Sequence, residues 1–357
     1  MQTAIGLMSG TSMDGIDAAL LRTDGERIES LGPALTLPYS EAFREKLKGA
    51  LGKGRADDAT RELERELTDW HVSAFDALVT ENSLDINEID VVGFHGQTVF
   101  HRPADRVTVQ LGDGLALAAR LGIPVAWDFR SADVAAGGQG APLVPLYHAA
   151  LAGTLDLPVA ILNIGGVANV TWVGGPDEVL AFDTGPGNAP MDDWAARHYG
   201  LSFDQEGRVA SGGNADMARV SDVLNRTYFA KNPPKSLDRN EFGDDLAAGL
   251  SKSDGMSTLC EITARSIAAA GSHFPRAVRS WIVCGGGRHN KWLMRRLEML
   301  LEPATVTNSD SLGWSGDAIE AQAFGFLAVR VMRGLPLSLP TTTGVPYPMP
   351  GGRVSRP

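Results

Sequence analysis

Apolar positions along this chain fall into short runs of strand length separated by stretches of helical period. Residues 3–8 read as a strand, Ser9-Gly10-Thr11-Ser12-Met13-Asp14-Gly15 as a turn, and residues 16–21 as a returning strand. Together they predict a β-hairpin with a wide tip rich in hydroxyls and glycine. Within residues 57–82, Leu63, Leu67, Trp70, Ala74 and Leu78 step by 4, 3, 4 and 4, a single buried helical stripe. A short strand over 90–94 ends in His95-Gly96-Gln97-Thr98. A strand at 107–111, a helix reaching Leu121 and a strand at 123–127 follow. Strands alternating with helices predict an α/β domain.

The pattern then restarts. Residues 158–164 read as a strand, Gly165-Gly166-Val167-Ala168-Asn169 as a turn and 170–173 as a returning strand, with Gly10 and Gly165 separated by 155 positions. That spacing suggests two copies of one unit. A strand at 179–182, a loop and a helix from about 189 to 198 follow. Beyond them come a helix near 257–272, a strand at 281–284, the run Gly285-Gly286-Gly287, and helices near 290–299 and 317–332. The proline-rich tail from Leu335 shows little periodicity and is expected along the surface. The expected domains are residues 1–130, joined by 335–357, and residues 131–334.

Composition narrows the function classes. A chain of 357 residues accommodates about two domains. With 43% hydrophobic and 21% charged residues, it is expected to fold. A net charge of −11 argues against general binding to nucleic acid or an anionic membrane. Two cysteines, Cys260 and Cys284, make no disulfide framework. The opening Met-Gln-Thr-Ala-Ile-Gly has no basic n-region, and no stretch approaches the ~18 apolar residues of a membrane span, so a cytoplasmic location is expected. The 41 glycines cluster beside apolar runs, which suggests loops built for close approach to a ligand.

P-loop, dinucleotide, HExxH and CxxC patterns are absent, and the seven histidines show no metal-ligand spacing. What remains is a set of glycine-rich strand ends. In Gly10-Thr11-Ser12-Met13-Asp14-Gly15-Ile16-Asp17, glycines let backbone N–H groups converge on phosphate and hydroxyls add donors. Asp14 and Asp17 would repel phosphate directly and suit Mg²⁺ held through water. The alternative is an ordinary hairpin with Asx and glycine turn residues. The second tip, with Asn163, Gly165 and Gly166, has similar chemistry. Asp183, before Thr184-Gly185-Pro186-Gly187-Asn188, is placed at a strand end as a candidate general base, or as a turn cap. Gly285, Gly286 and Gly287 allow close passage of a flat group such as adenine, or make a plain strand-to-helix turn. His95, Gln97, Thr98 and Arg130 suit sugar hydroxyls or a carboxylate, with Arg130 able to pair bidentately. Asp317 and Glu320 read as one solvated helix face.

These segments, from Gly6-Leu7-Met8-Ser9-Gly10-Thr11-Ser12-Met13-Asp14-Gly15-Ile16-Asp17 through Asp128-Phe129-Arg130, Gly137-Gly138-Gln139-Gly140-Ala141-Pro142 and Asp183-Thr184-Gly185-Pro186-Gly187-Asn188, resemble the anhydro-N-acetylmuramic acid kinase family. Pro233-Pro234-Lys235-Ser236, Cys284-Gly285-Gly286-Gly287 and Asp317-Ala318-Ile319-Glu320-Ala321 extend the likeness to about residue 330. The resemblance implies a two-domain actin-like ATPase fold of ribonuclease H-like α/β domains around a central cleft. ATP would lie between the hairpins, with Mg²⁺, and the anhydrosugar near the hinge. It further implies a homodimer and a reaction in which water opens the 1,6-anhydro ring while O6 takes the γ-phosphoryl group. The product would be N-acetylmuramic acid 6-phosphate, an intermediate of murein recycling. Asp183 resembles the family's base, and Glu320 is a second candidate for proton handling or sugar contact. The alternatives are a kinase for a simpler anhydrosugar such as levoglucosan, and an actin-like ATPase without a metabolic substrate.

Overall fold

Both hairpins that the apolar runs foreshadow form, and each founds a sheet. The computed structural model describes residues 1–10, 12–53, 58–175 and 178–357. Thr11, a candidate phosphate ligand, and Asp57, at the start of the expected first helix, lie outside the described residues. The chain divides into two compact units, Met1–Gly153 with Ala318–Pro357, and Thr154–Asp317.

In the first unit, β1 (Gln2–Ser9) and β2 (Gly15–Thr23) pair antiparallel, and β2 pairs antiparallel with β3 (Ile28–Pro38). On the other side β1 runs parallel to β4 (Val91–Arg102), and β4 parallel to β6 (Val125–Trp127). The strand β5 (Val107–Leu111) folds back on the outer half of β4, and β12 (Arg353–Ser355) closes the edge at β6. The second unit repeats the scheme. Here β7 (Val159–Ile164), β8 (Val167–Gly175) and β9 (Glu178–Pro186) form the antiparallel meander, while β10 (Ser280–Cys284) and β11 (Thr305–Asn308) run parallel to β7. The orders β3-β2-β1-β4-β6 and β9-β8-β7-β10-β11 match in sequence and direction. This is the ribonuclease H-like arrangement, present twice.

Several elements differ from the sequence reading. The helix Asp58–Glu81 has the expected stripe, with Leu63, Leu67, Ala74 and Leu78 buried and Trp70 half-buried. The strand β4 does not stop before His95 but runs on to Arg102, because β5 supplies a partner for its second half. Likewise β9 extends through Asp183 to Pro186, paired against β8. The domain limits also move. The helix Ile319–Met332, expected in the second domain, packs on β1, β2 and β4 of the first unit.

Glycine makes that packing possible. Gly6 on β1 and Gly93 on β4 are register partners under the helix. A Cβ at Gly6 would lie 1.7 Å from the Ala321 carbonyl oxygen, and one at Gly93 would lie 2.1 Å from that of Phe324. Helix backbone thus rests directly on sheet backbone, which any side chain would push apart. The tail after Leu335, expected along the surface, is instead partly buried. Leu337, Ser338, Thr342, Thr343 and Val345 are buried, and the Trp127 indole donates to Ser355 Oγ at 3.0 Å.

Gly93→Val is expected to destabilise the protein by about 3 kcal/mol, the upper end of overpacking penalties. Gly49→Ala, on an exposed helical position with nothing within 4 Å of the added carbon, should stabilise by about 0.5–1 kcal/mol. Urea unfolding of both variants checks the pair of signs.

Candidate active site

The first unit contributes the β1–β2 turn. Met13 N–H donates to the Gly10 carbonyl at 3.2 Å, and Met13 itself adopts φ 50°. Ser12 Oγ donates to Asp14 Oδ1 at 2.6 Å, and Thr36 Oγ1 donates to Asp17 Oδ1 at 2.5 Å. Asp14 is exposed and Asp17 half-buried at the start of β2. Gly15 and Ile16 already belong to β2; Ile16 buries its side chain in the apolar core, so only its backbone is left for a ligand. Ser9 ends β1 opposite Gln97, donates to its Oε1 at 2.6 Å and shares a 2.7 Å bond with the Tyr39 hydroxyl.

Further along β4 the structure joins His95 to Arg130. Gly96 O lies 2.8 Å from His95 Nδ1, so that nitrogen carries the proton. Its Nε2 then accepts from Arg130 Nε at 3.1 Å and Nη2 at 3.0 Å. Burial, with the Arg130 charge beside it, holds the imidazole well below its ordinary pKa and therefore neutral. His95 has both ring nitrogens engaged inside the protein, so its place is to orient Arg130 and not to touch sugar directly. Arg130 Nη1 also donates to Gly140 O at 2.6 Å. Of five guanidinium N–H groups, three are used, leaving one on each terminal nitrogen for a carboxylate. Burial lowers Arg130 to about 10, opposed by Glu320 and then Asp133, so it stays charged near neutrality. Gln97 spends its carbonyl on Ser9 and one N–H on Thr98 O at 3.2 Å, while Thr98 Oγ1 accepts from Gln110.

In the second unit three glycine-rich segments meet at one end of the sheet. Asn188 N–H donates to Gly165 O at 2.8 Å and Gly187 N–H to Gly166 O at 3.0 Å. Gly285, at φ 74°, passes so close that a Cβ would lie 2.2 Å from Asn163 Oδ1; one on Gly287 would meet Ile164 at 2.4 Å. Gly286 is exposed beside them. The β7–β8 turn is tighter than the sequence suggests, with Val167 already on β8.

Asp183 sits on β9 opposite Asn169, three residues before the strand ends. Its Oδ2 accepts from Leu237 N–H at 2.7 Å, and Oδ1 accepts from none of the described residues. Its main chain is held as well, by the Tyr228 hydroxyl at 2.6 Å on the carbonyl and by Lys235 O at 3.0 Å on the N–H. Burial raises its carboxyl to about 7 against the single opposing bond from Leu237. Such a group can hold or release a proton at neutrality.

Sequence reasoning missed several supports. Lys235, buried, donates to Tyr228 O and Phe229 O and lies over the Phe182 and Tyr228 rings; burial lowers it to about 8, with Lys231 adding to the effect. It thereby anchors the segment that carries Leu237. Asp192 is raised to about 7 by burial and then by Asp193. Asp317 is solvent-exposed, as expected, but lies just outside the helix, where it takes both terminal nitrogens of the buried Arg288, at 2.8 and 2.7 Å. Glu320, at the helix start, is half-buried. Among the described residues no group of three or more His, Cys, Asp or Glu is placed to hold a metal ion, and no helix is long and apolar enough to cross a membrane.

Comparison with known proteins adds the family. The family model described as "Anhydro-N-acetylmuramic acid kinase" matches residues 2–354. A relative of that name from Rhodopseudomonas palustris is 54% identical over 100% of both chains, and one from Bradyrhizobium diazoefficiens is 50% identical with the same coverage. Among solved structures, an activator of 2-hydroxyisocaproyl-CoA dehydratase from Clostridium difficile with bound ADPNP aligns at 12% identity and TM-score 0.47, covering 93% of this chain and 96% of its own. A ROK family glucokinase from Streptomyces griseus in complex with glucose and AMPPNP aligns at 14% identity and TM-score 0.43, covering 91% and 99%. With a match from Gln2 to Val354 and relatives half-identical from end to end, this chain belongs to the anhydro-N-acetylmuramic acid kinase family.

Proposed function

We propose that the chain uses ATP to open the 1,6-anhydro ring of 1,6-anhydro-N-acetylmuramic acid with water and to phosphorylate O6, giving N-acetylmuramic acid 6-phosphate for murein recycling. The observation that carries the reading is Asp183, a carboxyl near pKa 7 with one oxygen pinned by Leu237 and the other without a donor among the described residues. In this scheme Oδ1 takes a proton from the water that attacks the anomeric carbon. The C1–O6 bond breaks, its electron pair passes to O6, and O6 attacks the γ-phosphorus as ADP leaves. Coupling the two steps uses the alkoxide as it forms, before water can protonate it. The names of the relatives support a muramic substrate over levoglucosan or a non-metabolic actin-like ATPase.

The phosphates are assigned to the glycine-rich backbone: Gly10, Thr11, Ser12 and Met13 of one unit, and Asn163, Gly165, Gly166, Gly285, Gly286 and Gly287 of the other. Backbone N–H groups are fixed dipoles and need no reorganisation as charge develops. The carboxylates present fit a magnesium ion bound mainly by phosphate and water: Asp14 and Asp17 each spend one oxygen on a hydroxyl, and they do not form a protein cage. When bound, that ion neutralises phosphate charge. Arg130, held by His95, is assigned to the substrate carboxylate, Thr98 and Gln97 to polar groups of the sugar, and Glu320 to proton handling or sugar contact. A cytoplasmic homodimer is the expected setting.

Asp183→Asn is expected to lower turnover by about 10³-fold or more while ATP affinity stays within about twofold. Isothermal titration with a non-hydrolysable ATP analogue, beside steady-state kinetics, checks both halves. A variant with near-normal turnover removes Asp183 from the base position.

A base must be ionised to act, so kcat/KM is expected to fall about tenfold per pH unit below about 7. Stability carries the opposite sign. A carboxyl whose folded pKa is raised keeps its proton in the folded state while the unfolded chain has lost it, so its contribution to stability declines as pH rises from about 4 to about 7. Asp183→Asn should therefore raise the melting temperature at pH 8 more than at pH 4. Thermal scans at both values test this; an equal shift at each contradicts the raised pKa.

A further inference from the structure

Asp133 is a buried carboxylate, 1% exposed, that the reaction does not call upon. An ionised group in such a place is costly unless fully hydrogen-bonded. Here two separate segments supply three donors. Gly140 N–H reaches Oδ1 at 2.6 Å, Thr343 Oγ1 reaches Oδ2 at 2.6 Å, and Ser338 Oγ also donates to Oδ2. Ser338 and Thr343 belong to the C-terminal tail and are themselves buried, at 1% and 0% exposure. The tail grips the same loop a second time, through Gln139 N–H to Thr343 O at 2.7 Å. The next peptide, whose carbonyl is Gln139 O and whose N–H is that of Gly140, is held from β4 as well, by His101 Nε2 at 2.9 Å from Gln139 O.

The consequence lies at Gly140. Its N–H is fixed by Asp133, and its carbonyl accepts from Arg130 Nη1 at 2.6 Å. Arg130 is thus clamped from two directions, by His95 on Nε and Nη2 and by the Gly140 carbonyl on Nη1. Room is tight throughout: a Cβ on Gly138 would lie 2.2 Å from Asp133 Oδ1, and one on Gly140, at φ 68°, would meet Val134 at 2.5 Å. The loop has little freedom to carry the carbonyl anywhere else.

We propose that Asp133 is a positioning residue through which the buried tail hydroxyls of Ser338 and Thr343 fix Gly140, whose N–H and carbonyl belong to successive peptides, and so aim Arg130 at the substrate carboxylate. The inference rests on the assignment of Arg130 to that carboxylate. It gives the C-terminal tail a part in substrate selection, transmitted by two hydroxyls, one carboxylate and the two peptides that meet at Gly140. Losing a donor to a buried carboxylate loosens the Gly140 carbonyl and lets the guanidinium rotate. The effect falls on recognition of the sugar acid and leaves the nucleotide alone.

Thr343→Val removes one donor with little change in shape, and full-length protein with each variant can be assayed with varied anhydrosugar and varied ATP. The expected result is a rise of about tenfold in KM for 1,6-anhydro-N-acetylmuramic acid, with kcat and KM for ATP within about twofold and Thr343→Ser restoring the wild-type value. Circular dichroism and melting confirm that the variants fold. A purely structural tie would lower melting temperature or active fraction and leave the sugar KM in place. Unchanged sugar KM in Thr343→Val and in the Ser338→Ala/Thr343→Val double variant, while Arg130→Met raises it, overturns the coupling. If Arg130→Met also leaves it unchanged, the assignment of Arg130 to the carboxylate falls, and the proposal with it.

Discussion

A carboxyl group kept on a buried strand with a single backbone donor is an expensive arrangement, and the account of this kinase turns on it. Burial raises the Asp183 carboxyl to about 7, opposed by Leu237 N–H on one oxygen, while the other oxygen accepts from none of the described residues. A second donor would stabilise the anion and drop the pKa toward ordinary values, where the group is too weak a base to take a proton from water. The surroundings instead hold mainly the Asp183 backbone, and the carboxylate by one amide. The Tyr228 hydroxyl, the Lys235 carbonyl and the Leu237 amide fix the strand and one oxygen, while Lys235 spends its ammonium on Tyr228 O and Phe229 O.

The second recurring device is backbone brought close to backbone by glycine. It lets the helix Ile319–Met332 rest on Gly6 and Gly93, and it packs Gly187, Gly285 and Gly287 around the β7–β8 turn. The first use stabilises a fold; the second leaves amide groups where side chains would otherwise stand. The same strand order in both units gives each unit one such turn, after β1 and after β7. Phosphate chemistry suits fixed amides better than flexible cations, because little reorganisation accompanies the transfer of charge.

Local pattern made much of this legible. Both hairpins, the helical stripe through Leu63 and Leu78, and the glycine turns follow from spacing that one segment contains by itself. Elements made by partners were harder to read. The strand β3, formed against β2 with an irregularity at Gly32-Pro33, had no reading in the sequence. In β9 the same pairing effect draws Asp183-Thr184-Gly185-Pro186 into a strand, against the turn signal of Gly-Pro. The helix Ile319–Met332 gave no hint of its own unit, since the glycines that receive it lie more than two hundred residues earlier. Asp133 was invisible for the same reason, its donors Ser338 and Thr343 being two hundred positions away in a tail without periodicity. Arg130 and His95 were legible as residue types; that one consumes the other's free nitrogen is a fact of geometry alone.

The central claim, that hydrolysis of the ring and phosphorylation of O6 are one event, is tested most directly by turnover in ¹⁸O-labelled water with mass analysis of the product. The account requires one heavy oxygen at C1 and an unlabelled phosphate on O6 in the same molecule. Label in the phosphate, or a phosphorylated sugar that carries none at C1, would contradict it.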